Sequence, residues 1–206
     1  MTPAWCLPFR HNSPNQQLFC TMALESSISS TVEGLYELSL HGRLHRPHWV
    51  AQLFAALSQL HISIISGQAT QIKGGEWRSK FLLDFSGSSS EPYRLDYSAF
   101  AEQSSSGERT TTPKLSRFEV LRRHDQLIEV RLEGPDQIGF LAAILARVSG
   151  LALFPSTLEI DTIAGQIKDC IVLRGIADRG PSEAAFQSLD RMLRSFMLQN
   201  QPMTKK

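Results

Sequence analysis

The chain has 206 residues, 42% of them hydrophobic and 20% charged, and a formal net charge of +1. That composition is ordinary for a soluble globular protein. The near-neutral charge gives no general attraction to nucleic acid or to a membrane surface, and no apolar run approaches the length of a membrane span. Cys6, Cys20 and Cys170 form no Cys-x-x-Cys pair, so neither a disulfide framework nor a zinc site is implied, and a reducing, cytoplasmic setting is expected.

Taken in chain order, residues 1–33 read as a poorly ordered leader, with Pro3, Pro8, Pro14 and a Ser/Thr-rich run over 26–31. They lack the apolar stretch of a secretory signal. An organelle-targeting peptide and a true start at Met22 are the two other readings. Residues 35–40 then predict a strand. Pro47 suits the first position of a helix, where its missing N–H is harmless. Val50, Leu53, Phe54, Leu57 and Leu60 follow at the three-and-four spacing of one buried helical face. Residues 62–72 and 77–85 predict two strands joined at Gly74-Gly75.

From 86 to 114 the composition shifts to Ser, Thr and Gly, which predicts a flexible insert. Within it, 92–102 predicts a degraded helix carrying Tyr93, Leu95, Tyr97 and Phe100. Residues 118–121 read as a fourth strand closing a first module over 34–123. The five residues 122–126 lead from that strand to a second module over 127–198. There, Ile128, Val130 and Leu132 alternate with polar residues as in a half-buried strand. Gly134 and Pro135 break that strand, Asp136 is a candidate N-cap, and Phe140, Leu141, Ile144, Leu145 and Val148 make one apolar helix face. Gly150 is a candidate left-handed cap. Two strands over 153–163 and 166–174 turn at Ala164-Gly165, and a C-terminal helix carries Phe186, Leu189, Leu193, Phe196 and Met197. Only a tail, 199–206, remains, so the second module is expected to lack its last strand. Either 118–121 serves the second sheet or another subunit covers the edge.

Leu53-Phe54, Leu57 and Leu60 overlay Ile144-Leu145, Val148 and Leu151 at a constant offset of 91, which marks a duplicated unit. The run from Pro135 through Asp136, Gln137, Ile138, Gly139, Phe140 and Leu141 to Ala142, together with the Thr162–Gly165–Asp169 hairpin, resembles the ACT domain. That family's loop usually reads Asp-Arg-Pro-Gly-Leu-Leu. Here Gln137 and Ile138 replace Arg-Pro, and the step from Thr162 to Gly165 is one residue longer than usual. In the first unit Arg46-Pro47 keeps the family's Arg-Pro, but His48 stands in place of its glycine. The resemblance implies an α+β protein of two ferredoxin-like βαββαβ modules paired side by side, with an amino acid bound at their interface. In its tandem layout it is similar to repressor-type regulators of glycine cleavage. Carried onto this chain, the ligand set is Asp136, Gln137, Ile138, Gly139, Phe140, Thr162 and Gly165, with Arg46 and His48 at the equivalent loop.

The chemistry behind Gly139 is simple. Free N–H groups and the positive dipole end at a helix N-terminus attract a carboxylate, and glycine leaves the approach open. His48 would obstruct the same approach in the first unit. Gly139 as a packing glycine, and Thr162 and Gly165 as turn chemistry, are the plainer readings. His41, His45 and His48 have no nearby cysteine or carboxylate to complete a metal set, so no metal is expected. No Walker loop, dinucleotide fingerprint or nucleophile motif is present. The expectation is therefore a regulator without catalytic activity or cofactor, binding an amino acid or related metabolite and signalling to a protein partner, with homodimerisation possible. The alternative is an interaction scaffold with closed pockets. RNA binding is disfavoured by the charge and by the absence of an aromatic RNA-recognition signature.

Overall fold

The computed structural model of the chain describes residues 24–31, 33–44, 46–72, 75–102, 112–176 and 180–198. The expected tail 199–206, most of the leader and His45 lie outside them. Among the described residues eight strands and four α-helices run in the order β1 (Glu25–Ser30), β2 (Tyr36–Arg43), α1 (Trp49–Gln59), β3 (Ser63–Gln71), β4 (Glu76–Asp84), α2 (Tyr97–Glu102), β5 (Arg117–Arg122), β6 (Ile128–Pro135), α3 (Phe140–Gly150), β7 (Phe154–Ile163), β8 (Gln166–Arg174) and α4 (Glu183–Leu198). The strands form one antiparallel sheet in the order β1-β2-β4-β3-β7-β8-β6-β5.

The two halves meet at β3 and β7, whose pairs run from Ser66 with Asp161 to Thr70 with Thr157, with Gln68 opposite Glu159 at the centre. Gln68 and Glu159 are themselves 91 residues apart, so each residue of the pair faces its own repeat counterpart. A pseudo-two-fold axis passes through them. On one face of the sheet α1 packs on α3 across that axis. The inward residues of both halves merge with all four helices into a single core, including Leu38, Phe54, Phe81, Leu132, Ile144 and Leu193. The outward positions of the same strands are polar and pair with one another, as in Lys80–Glu37, Arg131–Glu129 and Arg117–Glu119.

Each half has the strand neighbours of a ferredoxin-like module, but the strand that would close the unit comes first in sequence rather than last. β1 lies beside β2, and β5 lies beside β6 in the same relation. Two expectations are corrected by this. Residues 25–30 are a strand of the first half rather than part of a disordered leader. Residues 117–122 do not close the first module but belong to the second half, as the alternative for 118–121 had it, paired from Arg117 with Glu133 to Arg122 with Ile128. The second module is therefore not short of a strand: β5 fills the place sought after α4. The physical reason is local. β5 reaches β6 through a tight turn in which Arg123 N–H bonds Leu127 O at 2.9 Å, whereas a return to the first sheet would face an edge already covered by β1. Arg122 over the Phe186 ring and its ion pair with Glu183 fasten β5 to α4.

The helix ends also differ in detail. Gly139 rather than Asp136 is the N-cap of α3, in the left-handed region at φ 83°, with no side-chain cap. Gly150 lies inside α3, and Ala152 (φ 57°) takes the left-handed turn beyond it. Pro47 precedes α1, whose cap is His48. The Ala164-Gly165 turn has φ values of 50° and 73°, the geometry of a type I′ hairpin.

Candidate functional site

A cavity of about 50 Å³ opens at the junction of the two halves. The second half contributes Asp136 to Ala142 from the β6–α3 loop and first helical turn, Ile160 and Thr162 from β7, and Ile167 and Asp169 from β8. The first half contributes Phe54 and Ser58 from α1 and Ile62 to Ile64 at the start of β3. The pseudo-symmetry explains this composition: the end of one central helix lies against the beginning of the other.

Gly139 holds the loop in a conformation that residues with a Cβ adopt at a penalty of roughly 1–2 kcal/mol. The turn places Phe140 N–H on Gln137 O at 2.9 Å, and Ala143 N–H on Gly139 O at 3.0 Å. The N–H groups between them, of Leu141 and Ala142, belong to the first helical turn, where intrahelical acceptors are lacking. Both residues line the cavity. The loop is braced from two sides. Asp136 N–H donates to Gly165 O at 2.9 Å, and Gln137 Oε1 accepts from Lys114 N–H at 3.1 Å.

Asp169 forms the other wall. It is 3% exposed, in the inward register of β8 between the buried Ile167 and Ile171. Its Oδ1 accepts a long bond, 3.4 Å, from Asp161 N–H. Burial, assisted by the charges of Asp136 and Asp161, pushes the Asp169 carboxyl up to about 7, because an ion loses most of its hydration there.

Six of the residues expected to hold ligand, Asp136, Gln137, Ile138, Gly139, Phe140 and Thr162, thus line one cavity. Gly165 does not line it and acts through its carbonyl on Asp136. Arg46 and His48 lie at the start of α1, away from this cavity, where their carbonyls accept Trp49 N–H and Gln52 N–H at 3.3 Å each. Asp169 and the wall from the first half were not among the expected residues. Asp169 had a signal in its alternation, as the one acid between inward-facing aliphatics. The wall from Phe54 to Ile64 follows from how the halves dock and has no local signature.

At the pseudo-two-fold counterpart of the cavity two tryptophans take the lining positions among the described residues. Register matches Leu132–Asp169 in one half with Leu40–Ser79 in the other, so Trp49 stands for Phe140 and Trp77 for Ile167. The two indoles meet edge to face at 5.2 Å and are no more than 2% exposed. Ser79 replaces the buried acid and donates to Leu40 O at 3.4 Å. A broad groove on the open sheet face, lined by Arg123, Glu129, Arg131 and Cys170, neutralises itself: Arg131 and Arg123 pair with Glu129 at 2.7 and 3.4 Å.

No protein-family model matches the chain, and a search of curated proteins found no match. Among solved structures, the chain is similar to the crystal structure of aspartate kinase from Synechocystis, at 11% identity and a TM-score of 0.44. The match covers 80% of this chain and 27% of that one, so the chain spans about a quarter of that protein's length. Among the described residues no helix is long and apolar enough to cross a membrane.

Proposed function

We propose that this is a regulatory protein without catalytic activity, which binds one amino acid or related small metabolite per chain in the cavity between its halves and reports the bound state to a protein partner. The observation that carries the reading is the cavity's construction: an uncapped helix N-terminus on one side, a buried acid on the other and the second half-molecule as the wall. A ligand there touches α3, β7, β8, α1 and β3 at once, so occupancy alters how firmly the halves hold each other. The opposite pocket, closed by Trp49 and Trp77, favours a scaffold for that half alone. It also sets the expected stoichiometry at one.

The test is a thermal-shift screen of the full chain against common amino acids and matching oxo and hydroxy acids. Ligand at about one hundred times its dissociation constant adds about 2.7 kcal/mol to native stability, or roughly 5–10 °C for a chain of this size. A responder supports the reading. A flat screen on folded protein refutes it and leaves the scaffold.

A further inference from the structure

The cavity holds a contradiction that identifies its ligand further. Its lining includes two carboxylates, Asp136 and Asp169, and no Lys, Arg or His. A third, Asp161, reaches Asp169 through its backbone N–H. A ligand bearing only a carboxylate gains the α3 N-terminus but meets this uncompensated acidic wall. Of the Asp169 oxygens, Oδ2 has no hydrogen bond among the described residues, although the side chain is 3% exposed. Asp169 is not among the described side chains with a fully enclosed, partnerless polar atom; it lines the cavity, so a group bound there can reach its carboxylate. The charged groups facing Asp169 are Asp136 from the β6–α3 loop and Asp161 from β7. The first half presents only Phe54, Ser58, Ile62, Ser63 and Ile64, so among the described residues none that lines the cavity supplies a cation.

We propose that Asp169 is the receptor for a ligand ammonium group, and that the pocket therefore selects small amino acids over the corresponding hydroxy and oxo acids. The inference rests on the cavity being the ligand site. Within it, the ammonium donates to Asp169 Oδ2 while the carboxylate lies against Leu141 and Ala142 N–H. Size follows from volume: about 50 Å³ holds about three to five waters at 10–15 Å³ each, the scale of the smallest amino acids. The raised Asp169 carboxyl fits this role. Without ligand it is about half protonated near pH 7, and an ammonium opposite it favours the ionised form and gives a charge-assisted pair.

Calorimetric titration of the full chain near pH 7.5 tests this with matched probes: glycine and alanine, their hydroxy counterparts glycolate and lactate, and methylamine, each against wild type and Asp169→Asn. Glycine or alanine should bind wild type at least about tenfold more tightly than glycolate or lactate, the size of effect expected of a hydrogen bond to a charged group. Asp169→Asn should erase most of that preference. Hydroxy acids binding wild type as tightly as amino acids would overturn the role of Asp169 while sustaining the pocket. Full preference retained by Asp169→Asn would also overturn it. Methylamine binding as tightly as glycine would uphold Asp169 and remove the carboxylate site on α3. If no probe binds folded wild type, both readings fall. Should Asp169→Asn fail to fold, the wild-type comparison decides alone.

Discussion

Replacing Asp169 with Asn should make the protein's stability depend less on pH, and the sign can be worked out. The folded-state carboxyl titrates at about 7, above its ordinary 3.8. A group raised on folding gives its full stability below the unfolded value and loses it as pH climbs through the folded one. For wild type the loss therefore runs from about pH 4 to about pH 7. The full difference of roughly 3 pKa units corresponds to about 4 kcal/mol at 1.36 kcal/mol per unit. Between pH 5 and pH 8 the portion lost is about 2 units, or about 3 kcal/mol. Asn has no charge to bury. The stability of Asp169→Asn relative to wild type should rise by that amount over the interval, which is roughly 6–12 °C of melting temperature for a chain this long. Comparing the two proteins at each pH cancels the titration of groups not coupled to Asp169, which leaves Asp136 and Asp161 as the neighbours that contribute to the difference. Thermal melts by circular dichroism at pH 5 and pH 8 provide the readout. An unchanged gap between the two melts, or a variant relatively weaker at pH 8, would refute the account of a buried, ligand-facing acid.

Other outcomes follow from the asymmetry of the halves. Ile167→Trp copies the residue that closes the opposite pocket and should fill the cavity, weakening the binding of any responder at least about tenfold; calorimetry on the folded variant measures it. Trp77→Ala removes one of the two indoles buried among the described residues and should cost about 3–5 kcal/mol, read by urea unfolding followed by far-UV circular dichroism. Phe118→Asp should loosen β5 and accelerate amide exchange in β6 while leaving β2 protected. Loss of protection in β2 instead would return β5 to the first half.

Sequence and structure agree where the signal is local. The alternation of Ile128, Val130 and Leu132, the apolar faces of α1, α3 and α4, and the Ala164-Gly165 turn are set by neighbours a few residues away, and each forms as its pattern dictates. The 91-residue offset made the duplication legible, and with it the loop at Gly139. The strand β1 was not legible. Its Glu-Ser-Ser-Ile-Ser-Ser has a single apolar residue, Ile28, to turn toward the core, and the strand is held by main-chain bonding to β2, which no side-chain pattern records. The partner of β5 was legible only as one of two alternatives, because a short strand between two modules pairs by turn geometry. The site divided in the same way. The loop over 136–140 could be read, while Arg46 and His48 followed the repeat into a pocket that two tryptophans, visible but 28 residues apart, close from opposite elements.

The central claim is that one of two symmetry-related pockets is open and takes a small amino acid at the start of α3. Its most direct test is a titration of isotopically labelled protein followed by amide NMR, using the strongest responder of the thermal screen. The account predicts shifts concentrated at Gly139, Leu141, Ala142, Thr162 and Asp169, with Trp49, Val50 and Ala51 at the opposite helix start unmoved and saturation at one ligand per chain. Shifts centred on Trp49, or spread along the open sheet face around Arg131 and Glu129, would contradict it.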